Sequence, residues 1–425
     1  MELPSWFRQR RYIHFDEVLS LKKAEKLVSN PVAVARHPFW PLIKFTVNTP
    51  KLKRDKTTGV LIKKPKLREI AYAAHGDSQI FSYYCADLSS KYEAEIESRA
   101  LTAVVLAFRS LKKSNIEFAR DAFHEIRARG DCCAVALDIT GFFDNLDHSQ
   151  LKSRWKALLD VKELPPDHFA VFRALTKYAF VERDIVFEAL GISVHNPRSE
   201  RRRICTPDEF NTKVRGTGLV HVNVKKIGIP QGTAISAMLS NLYMLDFDTA
   251  AQRFALENGG RYMRYCDDIL FIMPPGMSGH SAAFADAEIK KLKLEINPVK
   301  TAVSEFRRSA GSATQTCSAP LQYLGFLFDG HQVIIRSAAF AKFSNRMKRG
   351  VSLAKQTMRS RNKTRAQTGA EEHALYKKQI FSRYSHLGSR NFLRYGYRAA
   401  KAMNSPAIKR QLRPLWKRLT KAIEN

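Results

Sequence analysis

The feature that most constrains this chain is the stretch Arg264-Tyr265-Cys266-Asp267-Asp268-Ile269-Leu270-Phe271-Ile272-Met273, where two adjacent carboxylates interrupt a run of strand-forming apolar residues. Neighbouring acids repel, which costs stability unless a cation lies between them. A divalent ion held by hard oxygen ligands is one answer and a solvated turn is the other. Residues 262–266 and 269–273 each read as a short β-strand, so the acids fall at a hairpin turn from which both side chains can face one site.

A second acidic stretch makes the pair informative. Cys132-Cys133-Ala134-Val135-Ala136-Leu137 is an apolar run of strand length that delivers Asp138 at its end, followed by Ile139-Thr140-Gly141-Phe142-Phe143-Asp144. Asp138 is then either a metal ligand at the end of a buried strand or a cap for the helix expected near Asp147-His148. Between the two acidic strands stands Gly228-Ile229-Pro230-Gln231-Gly232-Thr233-Ala234-Ile235-Ser236, leading into an apolar helix through Met238, Leu239, Leu242 and Leu245. Gly-Pro-Gly before a helix N-terminus makes a turn whose backbone can approach a ligand closely, with Gln231 projecting from it.

The 425 residues allow two or three domains, and 44% hydrophobic content suits a globular protein. A formal net charge of +31 creates a field that attracts a polyanion. No apolar run approaches the roughly 20 residues needed to span a bilayer, and the N-terminus has no signal-peptide core. The expectation is a soluble cytoplasmic protein whose polyanion is nucleic acid, not membrane. Six cysteines without a Cys-x-x-Cys pair argue against zinc and for a reducing compartment.

Along the chain, residues 1–50 mix aromatic and basic residues, as an extension packed on the body of the protein or as an RNA contact. Residues 51–68 read as a basic strand, turn and strand around Thr57-Thr58-Gly59. Periodicity predicts mainly helix over 80–130 and amphipathic helix over 150–180. Residues 196–215, with Arg201, Arg202 and Arg203, read as a polar basic loop, either solvated or in contact with RNA. Residues 341–425 carry 22 lysines and arginines against 3 acids in a helical pattern. Phe392, Tyr395, Tyr397, Leu412, Leu415 and Leu419 supply apolar faces there that a disordered tail would lack.

Taken in order, these elements resemble the reverse transcriptases. The Asp138 to Asp144 stretch resembles their first palm motif, the stretch from Gly228 to Thr233 the following turn and helix, and Tyr265-Cys266-Asp267-Asp268 their metal-binding hairpin. Asn297-Pro298-Val299-Lys300-Thr301 is similar to the lysine-bearing motif after the hairpin, Tyr323-Leu324-Gly325-Phe326 to the primer-grip segment, and Lys66-Leu67-Arg68-Glu69-Ile70 with Asp77 to the fingers motif. Ala107-Phe108-Arg109 also resembles the fingers of bacterial members. The resemblance covers roughly residues 60–330. It implies an α+β right-hand polymerase: an extension over 1–50, fingers over 51–130, a palm over 131–330 whose antiparallel sheet carries the acids and which holds a fingers-type insertion around 150–225, and a basic helical thumb over 331–425 laid along a template-primer duplex.

The resemblance further implies that Asp138, Asp267 and Asp268 hold two magnesium ions, with manganese as a substitute and the Ile139 backbone as an extra ligand. Lys300 would neutralise or protonate the leaving pyrophosphate; the alternative is an ordinary surface lysine. Amides near Gly141 and Phe142 would cradle phosphates, and Lys66 and Arg68 would reach the triphosphate. Gln231 and Gly232 would contact the nascent pair or template. Phe143 would lie beneath the sugar and exclude a 2′-hydroxyl, making the substrate a dNTP, or would simply pack in the core. Length, the basic insert and the Arg11-Tyr12-Ile13-His14-Phe15-Asp16 opening are closest to the bacterial defence-associated reverse transcriptases of class two, which copy a structured noncoding RNA into cDNA, including concatemers, against phage. The length leaves no room for an RNase H or endonuclease domain, and the retron-type Asn-Ala-x-x-His and Val-Thr-Gly motifs are missing. A retron-like or group II intron-derived enzyme, an RNA-dependent RNA polymerase and a non-catalytic RNA-binding scaffold are the rival expectations.

Overall fold

The apolar run that ends in Asp138 forms the strand Cys132–Asp138 at the middle of an antiparallel sheet in the order Gln315–Cys317, Ala302–Arg308, Cys132–Asp138, Asp268–Met273, Arg261–Tyr265. This computed structural model describes residues 3–49, 51–54, 59–198, 201–308, 311 and 314–425. The strand side chains divide between two cores. Cys133, Val135 and Leu137 join Ile269, Phe271 and Met273 on one face, while Cys132 and Ala134 join Leu270, Ile272 and Met263 on the other. A strand covered on both faces needs apolar residues at every position, which is why the sequence there runs without alternation.

The first face is covered by the helices His75–Ser98, Ser236–Tyr243, Leu245–Glu257 and Ser278–Lys291. The second is covered by the helix Asn115–Arg129, a three-stranded sheet of Leu321–Tyr323, Phe326–Phe328 and Val333–Ile335, and the C-terminal helices. Those helices are Ser337–Gln367, Lys377–Tyr384, Phe392–Ala402 and Pro406–Glu424, so helix begins slightly before the predicted residue 341. Gln411 binds both backbone groups of Ile335, at 2.9 and 3.0 Å, closing the edge of the small sheet as a strand would.

A separate sheet takes strands from distant parts of the chain, in the order Leu67–Tyr72, Leu42–Asn48, Ala179–Glu182, His221–Val222. Leu42–Asn48 pairs antiparallel with Leu67–Tyr72 and parallel with Ala179–Glu182. The segment after Asp138 therefore leaves the central sheet, completes this one, and returns. Strands Lys51–Arg54 and Leu61–Lys64 pair with each other as expected, while the turn predicted at Thr57-Thr58 lies outside the described residues.

The expectation of mainly helix over 80–130 holds, as two helices separated by 99–114, where Ala100, Phe108 and Lys112 adopt left-handed backbone and Val105 pairs in parallel with Arg264. The helix over 150–180 stops at Leu159, with Asp160 left-handed, restarts at Pro166–Thr176 and gives way to strand. The loop expected over 196–215 contains the helical turns Pro207–Glu209 and Phe210–Arg215, because Phe210 and Val214 are buried against Ile13 and Phe15. Arg201 and Arg202 are exposed.

The N-terminal residues pack on the protein. The Asp16 carboxylate accepts from the amides of His75 and Gly76, both at 2.8 Å, and the Tyr12 hydroxyl donates to the Ala73 carbonyl at 2.8 Å. The helix His75–Ser98 has no side-chain cap from its own preceding residue Ala74, so Asp16 supplies one from far along the chain. Replacing it (Asp16→Ala) should cost about 1–2 kcal/mol, as losses of N-caps do. The urea midpoint should fall with the denaturant slope unchanged; an unmoved midpoint would show that the amides find other partners.

Candidate active site

The strand register sets Asp138 directly opposite Asp268. Both acids end the row of side chains that faces the second core, and Cys266 and Asp267 form the two-residue turn between the hairpin strands. Cys266 has φ +60°, so the strand expected to reach residue 266 stops at Tyr265. Burial raises the Asp268 pKa to about 6, assisted by the charges of Asp267 and Asp138 and opposed by Lys300 and Arg336. The Lys300 ammonium is ion-paired with Asp138 Oδ1. Its loop is held by the same strand end: the Asn297 amide donates to the Asp138 carbonyl at 2.7 Å, and the Thr140 amide to Glu295 at 2.8 Å. Asp138 is no helix cap. Asp147 performs that task, accepting from Gln150 N at 3.0 Å.

Beyond Asp138 and the buried Ile139, Gly141 turns the chain with φ +51° into a 3-10 turn, Phe142–Asp144. The Phe142 ring is core, and Phe143 is half-buried against the same core. The glycine turn is attached to this segment: the Ile229 amide donates to the Phe143 carbonyl at 2.9 Å, and Gly228 to Leu146 at 2.8 Å. A Cβ at Gly228 would stand 2.8 Å from the Asp144 carbonyl oxygen, and one at Gly232 2.6 Å from that of Ala71, so neither position admits a side chain. The Ala71 amide donates to the Gln231 carbonyl at 2.8 Å, joining the turn to the strand that carries Arg68. Arg68 is exposed and shares the strand face of Ile70, the side chain nearest Gly232. Lys66 lies just before this strand, its carbonyl accepting from Thr49 at 2.9 Å. The Gln231 side chain is hydrogen-bonded to Asp144, whose pKa burial raises. Thus Asp138, Asp267, Asp268 and Lys300 form one group. Gly141, Phe142, Phe143, Gln231 and Gly232 form a second, beginning three residues beyond Asp138 and extending to the strand of Arg68.

The sequence reading gave no role to the residue that anchors the hairpin. Arg264 is fully buried and held by Asp248 through Nε at 2.7 Å and Nη2 at 2.6 Å. Its Nη1 donates to Asn241 Oδ1 at 3.2 Å and to the Cys266 carbonyl at 3.0 Å, the turn that carries Asp267. Burial opposes the charge on Arg264, but Asp248 outweighs it and raises the pKa. The sequence signal for it was an arginine at an inward position of a buried strand.

The oxygens of Asp138, Asp267 and Asp268, with the Ile139 carbonyl, are the hard donors that suit a divalent cation. Among the described residues no three Asp, Glu, His or Cys side chains are gathered into an ion cage. The carboxylates repel one another, and Asp138 is turned onto Lys300.

Removing one member of the buried pair should be far costlier than replacing both. Asp248→Leu alone should lose about 3–5 kcal/mol, because Arg264 is left charged and unpaired. Asp248→Leu with Arg264→Met should recover much of that loss in a denaturant titration. Additive losses would show that the pair is not the coupled unit described.

Residues 89–328, more than half of the chain, match the family model described as reverse transcriptase (RNA-dependent DNA polymerase). No curated protein matches the sequence. Among solved structures, the chain is similar to apo telomerase from Candida tropicalis truncated from its C-terminal domain, at 12% identity and TM-score 0.40, over 75% of this chain and 60% of that one. It is also similar to telomerase from Candida albicans in complex with a fragment of telomeric RNA, at 12% identity and TM-score 0.40, over 95% of this chain and 64% of that one. The chain thus spans about three-fifths of the telomerases it matches. By the family match, which takes in all three acids and the glycine turn, this protein belongs to the reverse transcriptase family.

Proposed function

We propose that this protein is an RNA-directed DNA polymerase with its reaction centre at Asp138, Asp267 and Asp268. The observation that carries the reading is the cross-strand pairing of Asp138 with Asp268, with Asp267 in the adjoining turn, within a chain of this family. Reverse transcriptases generally use divalent metal ions; two magnesium ions, or manganese in their place, would activate the primer 3′-hydroxyl and neutralise triphosphate charge at these acids and the Ile139 carbonyl. Lys300 brings positive charge to the same carboxylates and is the group to meet the departing pyrophosphate. The amides after Gly141 and the exposed Arg68 receive the triphosphate, with Lys66 as a further cation.

Phe143 is the sugar-selecting residue in this reading. Its backbone is fixed by Ile229 and its ring by the core, so it cannot withdraw to admit a 2′-hydroxyl. Gln231 orders the glycine turn through Asp144 and meets the nascent pair beside Gly232. The strands and helices around the acids act as palm, the sheet containing Arg68 as fingers, and the basic helices from Ser337 onward as the thumb that tracks the duplex by charge and shape. The template is a structured noncoding RNA copied into cDNA in a bacterial cytoplasm, in defence against phage; the basic insert and the N-terminal opening support this assignment.

Sequencing nucleic acid co-purified with wild type and with Asp267→Ala/Asp268→Ala tests the reading. One discrete RNA in both, with complementary DNA only in wild type, is expected. Bound RNA without cDNA in either would favour the scaffold. With purified protein and primed RNA, dNTP incorporation should cease on chelation and return with magnesium. Phe143→Ala should raise rNTP use relative to dNTP by about tenfold or more, the scale of a removed steric contact; unchanged selectivity would assign the ring to packing alone.

A further inference from the structure

Beside the catalytic turn, the segment 104–109 is fastened to the outer edge of the hairpin. The Arg264 amide donates to the Val104 carbonyl and the Leu106 amide to the Arg264 carbonyl, each at 2.9 Å. Asn241 Nδ2 donates to the Ala107 carbonyl at 2.9 Å, while its Oδ1 accepts from Arg264, the same guanidinium that binds Cys266. Arg109 is fixed by Glu93 and by the carbonyls of Thr102 and Val105, at 2.6–2.9 Å. Ala107 and the Arg109 side chain are buried, yet Phe108 between them is 53% exposed.

Exposure of one phenyl ring is ordinary. Its backbone is not: Phe108 has φ +62°, a conformation that a bulky residue rarely adopts and that glycine adopts without strain. The surrounding bonds hold the strained residue so that about half of it faces solvent. Strain kept at a rigid position next to a reaction centre is the pattern of a functional residue. An exposed aromatic followed by basic chain, here the exposed Lys112, is the chemistry that binds nucleic acid strands by stacking.

The sheet order indicates which strand. The acids stand on Cys132–Asp138 and Asp268–Met273. Leu321–Tyr323, whose sequence resembles a primer grip, packs against Cys132–Asp138 and Ala302–Arg308 on one side of them. Residues 104–108 lie along Arg261–Tyr265, on the other side. A primer end held at the first side leaves the second to the strand it pairs with.

Building on the polymerase reading above, we propose that Phe108 is a stacking platform for a template-strand nucleobase beside the reaction centre. Phe108→Gly removes the ring and relieves the backbone, so structural and binding roles predict opposite results. The probe is a fluorescent RNA template with an annealed DNA primer and a short template overhang, titrated at fixed salt, with dNTP incorporation by wild type measured in parallel. Phe108→Gly is expected to bind about 5- to 100-fold more weakly, the range for losing one stacked base, with a thermal midpoint equal to or above wild type. Phe108→Trp is expected to keep the affinity and to change its emission on binding. A template made abasic beside the primer end should erase the difference between wild type and Phe108→Gly. Equal affinity of Phe108→Gly and wild type on the intact template would overturn the platform, as would a lowered midpoint, which would make the ring structural. Loss of affinity without any incorporation by wild type would overturn the polymerase reading and leave Phe108 as a nucleic-acid contact.

Discussion

Two carboxylates facing each other across a sheet are an unfavourable pair, and the protein is built so that Asp138 and Asp268 cannot avoid it. The register that opposes them is set by the five pairs from Cys133 with Met273 to Leu137 with Ile269. A slip of one residue would turn every side chain of a strand to the wrong core. Full burial of one Leu, Ile or Phe contributes about 1.5–3 kcal/mol. Two or three such side chains outweigh a carboxylate repulsion of about 4 kcal/mol at 4 Å and an effective dielectric of 20. The repulsion thus persists as chemistry, adding to the burial that raises the Asp268 pKa to about 6 and drawing a lysine to its partner Asp138.

Rigidity around these acids comes mainly from backbone groups. The Asp138 carbonyl takes the Asn297 amide, the Phe143 carbonyl takes Ile229, and Gln231 is held by Ala71. Main-chain bonds of this kind leave the side chains at the site free for substrate, and they require close approach, which is why Gly228 and Gly232 touch neighbouring carbonyls. Arg264 is the exception, a side chain that reaches one backbone carbonyl, that of Cys266, and two side chains, those of Asp248 and Asn241, from inside the core.

What was legible in the sequence was local. The Asp138 strand, the Asp267-Asp268 hairpin and the glycine turn announce themselves by apolar runs and turn residues within ten positions, and all three form as expected. What was not legible depends on partners far away. Residues 99–114 read as helix because their buried apolar residues mimic a helical stripe, whereas a backbone bridge to Arg264 decides their shape. Asp16 carries no local sign that it caps a helix beginning at His75. Arg264 was in view as part of the hairpin motif, but its partner Asp248 sits in a preceding helix whose pattern gives no reason to pair them.

The central strand has a consequence for how this chain is made. Cys132–Asp138 is apolar, uncharged until its last residue and free of proline, and its two lateral partners are Asp268–Met273 and Ala302–Arg308. During synthesis it leaves the ribosome with neither neighbour in existence. At about 5–20 residues per second, roughly ten seconds pass before the hairpin emerges, and longer before the other edge is covered. Through that interval the strand that will carry Asp138 is an open template for pairing with other chains. Slow elongation or crowded polysomes should therefore lower the yield of this protein more than its finished stability would suggest.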